Sequence, residues 1–181
     1  MKFNKFISKK IRRKEKQLTD DNCNEILTTV EWGTLATIGA DNFPYAVPVN
    51  FVYHNGNIYF HCAKTGHKLD NIQHCPNVSF NVVTDVLVIP LISQSDPEPE
   101  NSQFKFKGFD TNFNSITIFG KATEIFDDEK NEVLKVFLKK FLKKDYAKYK
   151  EDGIRYIEKS INRTILIKIE IIHMTGKKGI K

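Results

Sequence analysis

The sequence predicts a mainly β protein in which at least six antiparallel strands form a closed or nearly closed barrel with flanking helices. Apolar and polar residues alternate along residues 34–38, 115–125 and 164–172, and this period of two is typical of strands with one buried face. Short turns join the predicted strands and few helices separate them, an order that favours closure because closure removes exposed sheet edges. With 181 residues, 40% of them hydrophobic, the chain can bury one substantial core.

Three consecutive antiparallel strands are predicted in the first part of the chain, at residues 34–38, 45–53 and 58–62. Asn55 and Gly56 supply the turn between the last two, because both central positions of a type I′ turn need positive φ. Pro48 lies in the middle of its strand and cannot donate a hydrogen bond to a neighbouring strand. One side of this strand is therefore not fully paired with protein. It is either a plain sheet edge or a surface against which a ligand lies.

The rest of the chain predicts further strands, one long loop and one helix. Strands are expected at residues 78–83, 86–91, 115–125 and 164–172. Residues 93–115 predict an extended loop rich in phenylalanine, and such loops often act as lids or subunit contacts. Residues 127–144 predict a helix, because acidic residues stand at its start and lysines at its end, as the helix dipole favours. Its apolar face, typical of a helix packed on a core, consists of Val133, Phe137, Leu138, Phe141 and Leu142.

Positive charge is concentrated at the N-terminus. Residues 1–16 hold eight lysines and arginines against one glutamate, so this segment carries +7 whereas the whole chain carries +6. The remaining residues therefore carry −1 together. We expect a basic N-terminal arm over residues 1–16, solvated or wrapped around a subunit, and a single domain over residues 17–181. The neutral charge of this domain argues against a dedicated nucleic-acid role.

Cysteine usage and hydropathy indicate the compartment. The three cysteines form no CxxC pair, so neither a disulfide framework nor a zinc ribbon is indicated. No apolar run reaches the length of a membrane span, and the N-terminus lacks the apolar segment of a secretion signal. We therefore expect a cytoplasmic protein without membrane contact. No metal site is predicted, because the strand and the helix within residues 61–75 point the histidines and cysteines in scattered directions.

The most informative segment is the basic turn that follows the strand at residues 58–62. A short helix is predicted after this turn and before Pro76, with Leu69 and Ile72 as its buried stripe. Three basic side chains surround the start of the helix: Lys64, His67 and Lys68. The helix dipole disfavours cations there by about 0.3–1 kcal/mol per charge unless an anion is present. The pattern predicts a phosphate site; the alternative is a short helix whose lysines point into water.

Four segments of the sequence, in the same order, resemble the nitroimidazole-resistance branch of the pyridoxamine 5'-phosphate oxidase-like flavin proteins. They lie at residues 43–51, 58–68, 116–122 and 171–177, and the resemblance extends over the chain from about Arg12 onward. It implies a six-stranded antiparallel split β-barrel of the flavin-reductase, FMN-binding type. It also implies a homodimer with FMN in each of two clefts between the subunits.

The resemblance assigns cofactor contacts by position. The segment that holds the flavin phosphate corresponds to Lys64, His67 and Lys68. The strand whose backbone runs along the isoalloxazine edge corresponds to Val47, Pro48, Val49 and Asn50. The strand end that approaches the ring or the ribityl chain corresponds to His61, Cys62 and Ala63. Two departures from the family pattern leave FAD as an alternative to FMN: the extended loop at residues 93–115, and a histidine at position 67 where an arginine is frequent.

The resemblance also implies an oxidoreductase, similar to nitroreductases, that reduces small electron-poor compounds such as nitroimidazoles or other nitro compounds. Electrons would come from NAD(P)H or another cellular donor, and any nicotinamide binds transiently because the sequence has no GxGxxG fingerprint. His61 is the candidate catalytic proton donor, since histidine titrates near neutral pH; a structural role at the strand end is the alternative. Two rival functions are a non-catalytic flavin-binding redox or sensor module, and a haem protein with His61 or His67 as a ligand in the same cleft.

Overall fold

The strand-forming segments assemble into one seven-stranded sheet in the computed structural model, which describes residues 11–94 and 104–179. The strands are β1 (Trp32–Ile38), β2 (Pro44–Asn50), β3 (Val52–His54), β4 (Asn57–Cys62), β5 (Asn77–Gln94), β6 (Phe104–Ile125) and β7 (Ile165–Lys178). Within the same residues, the α-helices that flank the sheet are α1 (Asp20–Thr29), α2 (His67–His74), α3 (Asp127–Leu142) and α4 (Tyr146–Ser160). Each pair of neighbouring strands is antiparallel.

The strand order β2-β1-β5-β6-β7-β4-β3 brings the two edges of the sheet together. The edge strands β2 and β3 follow each other in the chain with Phe51 between them, so the sheet curves until its edges approach. Among the described residues, no ladder of hydrogen bonds joins β2 to β3. The barrel is therefore open along this seam, which confirms the predicted antiparallel split barrel.

The sheet separates two hydrophobic cores. Inside the barrel, Phe51, Phe60 and Phe80 are fully buried. A second core lies between the outer face of the sheet and helices α3 and α4, and consists of Val52, Tyr59, Ile125, Val133, Leu134, Phe137, Ile157 and Leu166. Because successive strand residues point to opposite faces, β4 sends Phe60 into the barrel and Tyr59 toward the helices. The same alternation directs His61 toward the helices.

In the described part of the chain the barrel has seven strands rather than the six expected. The segment at residues 45–53 forms two strands, β2 and β3, because the chain bends at Phe51 to bury that side chain in the core. The segments at residues 78–83 and 86–91 form one long strand, β5, with a bulge around Asp85, whose φ is 57°. A bulge of this kind turns a strand without ending it.

The prediction of a loop at residues 93–115 is wrong for every residue of that range that the structure describes. Strand β5 continues to Gln94 and β6 begins at Phe104, while residues 95–103 lie outside the described residues. In the described structure, residues 87–94 and 104–112 pair only with each other and form a two-stranded extension, the β5–β6 ribbon. The sequence does not predict this ribbon. Apolar and polar residues alternate strictly only in strands that bury one face against a core, and neither strand of the ribbon needs this pattern.

Helices α2 and α3 lie where the sequence predicts them, although α3 ends at Leu142 rather than at residue 144. Helices α1 and α4 were not predicted. Helix α4 packs against α3, and the absence of a side chain at Gly153 leaves room for Leu138, which a Cβ at position 153 would overlap. No helix in the described residues is both long enough and apolar enough to span a membrane.

The last residues of the expected basic arm pack against the barrel. Lys16 is buried, and its Nζ donates a hydrogen bond to the carbonyl of Gly179. The backbone N–H of Leu18 donates to the carbonyl of Gly176 at 2.9 Å. This part of the chain therefore runs beside the end of β7. Residues 1–10 lie outside the described residues.

Candidate functional site

A cleft of about 760 Å³ opens between the seam of the barrel and the helical pair α3–α4. Its strand side and the adjoining turn contribute Trp32, Pro48, Val49, Asn50, His61, Cys62, Ala63 and Lys68. Its helical side and the segment before β7 contribute Leu134, Phe137, Leu138, Phe141, Tyr156, Ile157, Ser160, Arg163 and Thr164. The cleft thus has one wall of backbone-rich strand and one wall of aliphatic and aromatic side chains, which is typical of sites for organic ligands.

The strand wall is built around Pro48. Strand β2 pairs with β1, with Pro48 opposite Thr34, and in the described structure the other side of β2 is a free edge. The prediction that one side of this strand lacks a protein partner is therefore confirmed, and an edge is where a proline is tolerated. The side-chain amide of Asn50 donates a hydrogen bond to the backbone carbonyl of Glu31 at 3.3 Å. Val47 packs its side chain against the barrel core and does not line the cleft, so only its backbone is available to a ligand.

His61 lies where the two walls meet. Its ring contacts the Phe137 ring edge to face, with centroids 5.0 Å apart and planes at 70°. No hydrogen bond joins the ring to another side chain in the described part of the protein, so its nitrogens remain available to a ligand. Partial removal from water lowers the pKa of His61 below its usual range, because burial penalises the charged imidazolium. The ring is therefore mostly neutral at pH 7.

Cys62 and Ala63 continue from His61 into the basic turn. Burial raises the pKa of the Cys62 thiol; the charge of Lys68 opposes this rise, and the charge of Glu124 adds to it. A thiol with a raised pKa remains protonated at neutral pH and is a weak nucleophile. Cys62 therefore shapes the cleft rather than supplying a reactive group.

The three basic side chains that the sequence predicts around one phosphate, Lys64, His67 and Lys68, do not all line the cleft. Helix α2 begins at His67 after Gly66, whose φ of 142° suits glycine, and no side chain caps its first-turn N–H groups. Lys68 is half-buried and lines the cleft. Lys64 is exposed and does not line it. His67 also lies outside the lining, and its ring packs on Tyr45 with centroids 4.4 Å apart.

A fourth basic side chain in this region, Arg163, was not predicted from the sequence. Arg163 belongs to the 3₁₀ turn Ile161–Arg163 that follows α4, and it lines the cleft. The signal that would have revealed α4 is the helical spacing of Ile154, Ile157 and Ile161, which are partly or fully buried. A helix there would have placed Arg163 just before β7, next to the end of β4.

The charge of the cleft is one-sided. Lys68 and Arg163 line it, and among the residues that the structure describes no aspartate or glutamate does. Across residues 11–94 and 104–179, no three His, Cys, Asp or Glu side chains are grouped so that they could hold a metal ion. A planar organic group with an anionic tail fits these residues: the cations and the uncapped start of α2 match the tail, and the aromatic wall and the strand edge match the ring.

Comparison with known proteins identifies the family. The family model described as pyridoxamine 5'-phosphate oxidase matches residues 19–178. The chain therefore belongs to this family, as its sequence resemblance predicted. A search of curated proteins gave no match.

Solved structures share the fold. A putative 5-nitroimidazole antibiotic resistance protein from Bacteroides thetaiotaomicron is 20% identical with a TM-score of 0.64, over 90% of this chain and 86% of that one. An FAD-binding protein from Mesorhizobium loti is 17% identical with a TM-score of 0.57, over 91% and 97% of the two chains. The FAD and haem binding protein from Mycobacterium smegmatis is 18% identical with a TM-score of 0.63, over 92% and 74%. At these identities the likeness establishes the fold.

Proposed function

We propose that this protein binds a flavin in the cleft and reduces small electron-poor compounds, nitro compounds among them. The observation that carries the proposal is the cleft itself: in the described part of the chain, Lys68 and Arg163 have no acidic partner in its lining and lie near the unpaired edge of β2. The structural relatives named above for FAD binding and for 5-nitroimidazole resistance support it. FMN is the proposed cofactor, with FAD as the alternative.

In this proposal, different elements of the chain bind different parts of the flavin. The backbone of β2 from Val47 to Asn50 would hold the edge of the isoalloxazine ring, where Pro48 leaves no N–H to be paired. The end of β4, from His61 to Ala63, would contact the ring and the ribityl chain. Lys68 and the backbone N–H groups of residues 67 and 68 would receive the phosphate, since the N–H of Leu69 already donates to the carbonyl of Gly66 at 2.8 Å. Lys64 and His67 lie outside the cleft lining, and Lys64 contributes positive charge at longer range.

The proposed reaction is the reduction of R–NO₂ by NAD(P)H and a proton to R–NO, NAD(P)⁺ and water, with the electrons carried by the bound flavin. His61 is the proposed proton donor to the acceptor, because its ring lies in the cleft without a hydrogen-bond partner on another side chain of the described structure. The aromatic wall formed by Phe137, Phe141 and Tyr156 excludes water and orients a planar acceptor.

A homodimer completes the site in this proposal. Trp32 lines the cleft and is 57% exposed in the single chain, so one flank of the cleft remains open to solvent. A second subunit placed over this flank would cover both the flavin and the apolar surface. Reduced cysteines suit the proposed cytoplasmic location.

Haem is the second candidate ligand. The available ring nitrogens of His61 favour it, because a neutral imidazole in an apolar cleft can serve as an axial ligand. The Mycobacterium smegmatis relative, which binds FAD and haem, gives further support. His67 is a poorer candidate ligand, since its ring packs on Tyr45 outside the cleft lining.

Tryptophan fluorescence provides a direct test, because Trp32 is the sole tryptophan of the sequence and lines the cleft. We expect titration of the flavin-free protein with FMN to quench this emission with saturation. The Trp32→Phe variant should still retain FMN in a filtration assay, which separates binding from an optical artefact. Absence of saturable quenching together with absence of retained flavin would contradict the proposal.

The activity is tested separately from binding. The FMN-loaded protein is mixed with a nitroimidazole under anaerobic conditions, with NADH, NADPH or chemically reduced flavin as electron source. We expect loss of the nitro chromophore at a rate above that of free FMN. Flavin binding without reduction of any acceptor would favour the non-catalytic redox or sensor module.

A further inference from the structure

We infer that Arg163 is a second phosphate-binding side chain of the cleft and grips the monophosphate of FMN together with Lys68. The inference rests on the proposed flavin function and adds a residue that neither the resemblance nor the basic turn assigns. It concerns an arginine contributed by the segment between α4 and β7.

The sheet register places Arg163 beside the basic turn. Strand β4 pairs with β7 so that Cys62 lies opposite Ile165. The chain leaves β4 through Ala63 toward the basic turn, and it enters β7 from Arg163 and Thr164. These two segments are therefore neighbours at one end of the sheet. Arg163 and Lys68 reach the same cleft from different elements.

Neither cation is neutralised within the described structure. Lys68 and Arg163 form no ion pair there, whereas Arg155, on the preceding helix, pairs with Asp152 at 2.5 Å. Within residues 11–94 and 104–179, no carboxylate lines the cleft to balance them. Two like charges that share a cleft repel each other, so an anion placed between them is favoured.

The chemistry of the two side chains matches a phosphate monoester. Such a group carries a charge of about −1.5 to −2 at pH 7 and presents three acceptor oxygens. A guanidinium offers two parallel N–H donors to two of these oxygens, and the ammonium of Lys68 adds a point charge. The hydroxyls of Ser160 and Thr164 also line the cleft, but they already donate to the carbonyls of Tyr156 and Ser160 at 2.8 and 3.1 Å, so they add no donor for the phosphate. His67 packs on Tyr45 outside the cleft lining, so the guanidinium comes from Arg163, on another element.

The test compares FMN with riboflavin, which lacks the phosphate. Dissociation constants of both are measured for the wild type and for Arg163→Ala, Arg163→Lys and the control Arg155→Ala. We expect Arg163→Ala to weaken FMN binding about ten- to hundredfold and to leave riboflavin binding within about twofold. Arg163→Lys should give an intermediate loss for FMN, because it keeps the charge but not the two parallel donors. Arg155→Ala should change neither constant.

Several outcomes would overturn the assignment. Equal weakening of FMN and riboflavin would make Arg163 a structural residue, and no change in FMN affinity would make it an ordinary surface arginine. Thermal melting of each variant confirms folding, which should persist because Arg163 is exposed. Failure of the wild type to bind any flavin would instead contradict the proposed function, so the two failures are distinguishable.

Discussion

His61 combines a favourable position with an unfavourable ionisation state. Its ring faces the cleft, but its lowered pKa leaves little imidazolium at neutral pH. Only the protonated ring can donate, so turnover limited by this step should rise as the pH falls from neutral toward the pKa of His61 and level off below it. The position of that rise, below pH 6.5, follows from the direction of the shift.

Replacement of His61 tests this role. We expect His61→Ala to reduce nitro-compound turnover by about 10²–10⁴-fold and to abolish the acidic rise, with flavin still bound. His74→Ala removes an exposed histidine at the far end of α2 and serves as the control. A His61→Ala enzyme with wild-type turnover and an unchanged pH profile would show that His61 is structural.

The two lysines of the basic turn should differ in their effects. Lys68 lines the cleft, whereas Lys64 is exposed beyond it. We expect Lys68→Ala to weaken FMN binding about ten- to hundredfold through loss of a charge-assisted hydrogen bond, and Lys64→Ala by less than about threefold through long-range charge alone. The same titrations in high salt should shrink the Lys64 effect further. A larger loss for Lys64→Ala than for Lys68→Ala would place the phosphate outside the cleft.

At the scale of the elements, Lys140 ties α3 to the rest of the protein. Its Nζ donates to the carbonyls of Leu27, Val30 and Phe51 at 3.3, 2.6 and 3.1 Å. The first two carbonyls belong to the last turn and the C-cap of α1, and the third belongs to Phe51, the residue between β2 and β3. Because α3 also supplies Phe137 and Phe141 to the cleft, this lysine holds one wall of the site in place.

Lys140 should also leave a mark on the pH dependence of stability. Burial lowers the pKa of Lys140 to about 8, although the charge of Glu31 opposes the shift. A lysine in the unfolded chain titrates at about 10.4. Between these values the unfolded chain binds the extra proton, so this group raises the free energy of unfolding as the pH rises through that window. We expect Lys140→Met to cost about 1–3 kcal/mol near neutral pH, because three carbonyls lose their donor.

The comparison of variants isolates this effect. The stability difference between the wild type and Lys140→Met should grow from pH 8 to pH 10, measured by urea unfolding. Lys139→Met, which removes an exposed lysine from the same helix, should show neither the loss nor the growing difference. A constant difference across this range would mean that Lys140 titrates normally.

The elements that the sequence revealed are those with one face buried. Strands β1 and β7 alternate visibly because one face packs in the barrel, and Asn55 and Gly56, both with positive φ, mark the β3–β4 turn directly. Helix α4 was not predicted because it has one buried residue, Ile157, and is otherwise rich in charged and tyrosine side chains. Arg163 was not predicted as a cleft residue either, since its position in the cleft depends on where α4 ends.

At the scale of the whole molecule, the described residues expose a patch of apolar surface. In the β5–β6 ribbon and the bulge beside it, Val86, Leu87 and Val88 are more than half exposed. A two-stranded ribbon is marginally stable in water by itself, so a partner surface is expected. Phe104 and Phe106, which the sequence also suggested for a subunit contact, have side chains outside the described set.

We therefore predict a homodimer. Light scattering coupled to size-exclusion chromatography should give twice the 20.9 kDa chain mass at micromolar concentration with flavin bound. The paired substitution Val86→Glu with Val88→Glu should weaken the dimer if the ribbon contributes, because it places charge on the exposed apolar face. The control Lys139→Met should leave the mass unchanged. A flavin-bound wild type that elutes as a monomer would contradict a cleft shared between subunits.

The absorption spectrum of the purified protein tests the central claim most directly. The account predicts the two near-ultraviolet and visible bands of a flavin, with about one flavin per chain because each chain provides the cleft lined by Pro48, His61 and Lys68. Reconstitution with FMN should restore these bands to protein that has lost them. A colourless protein that takes up neither FMN nor FAD from micromolar solution, or a protein with a Soret band and no flavin, would contradict it.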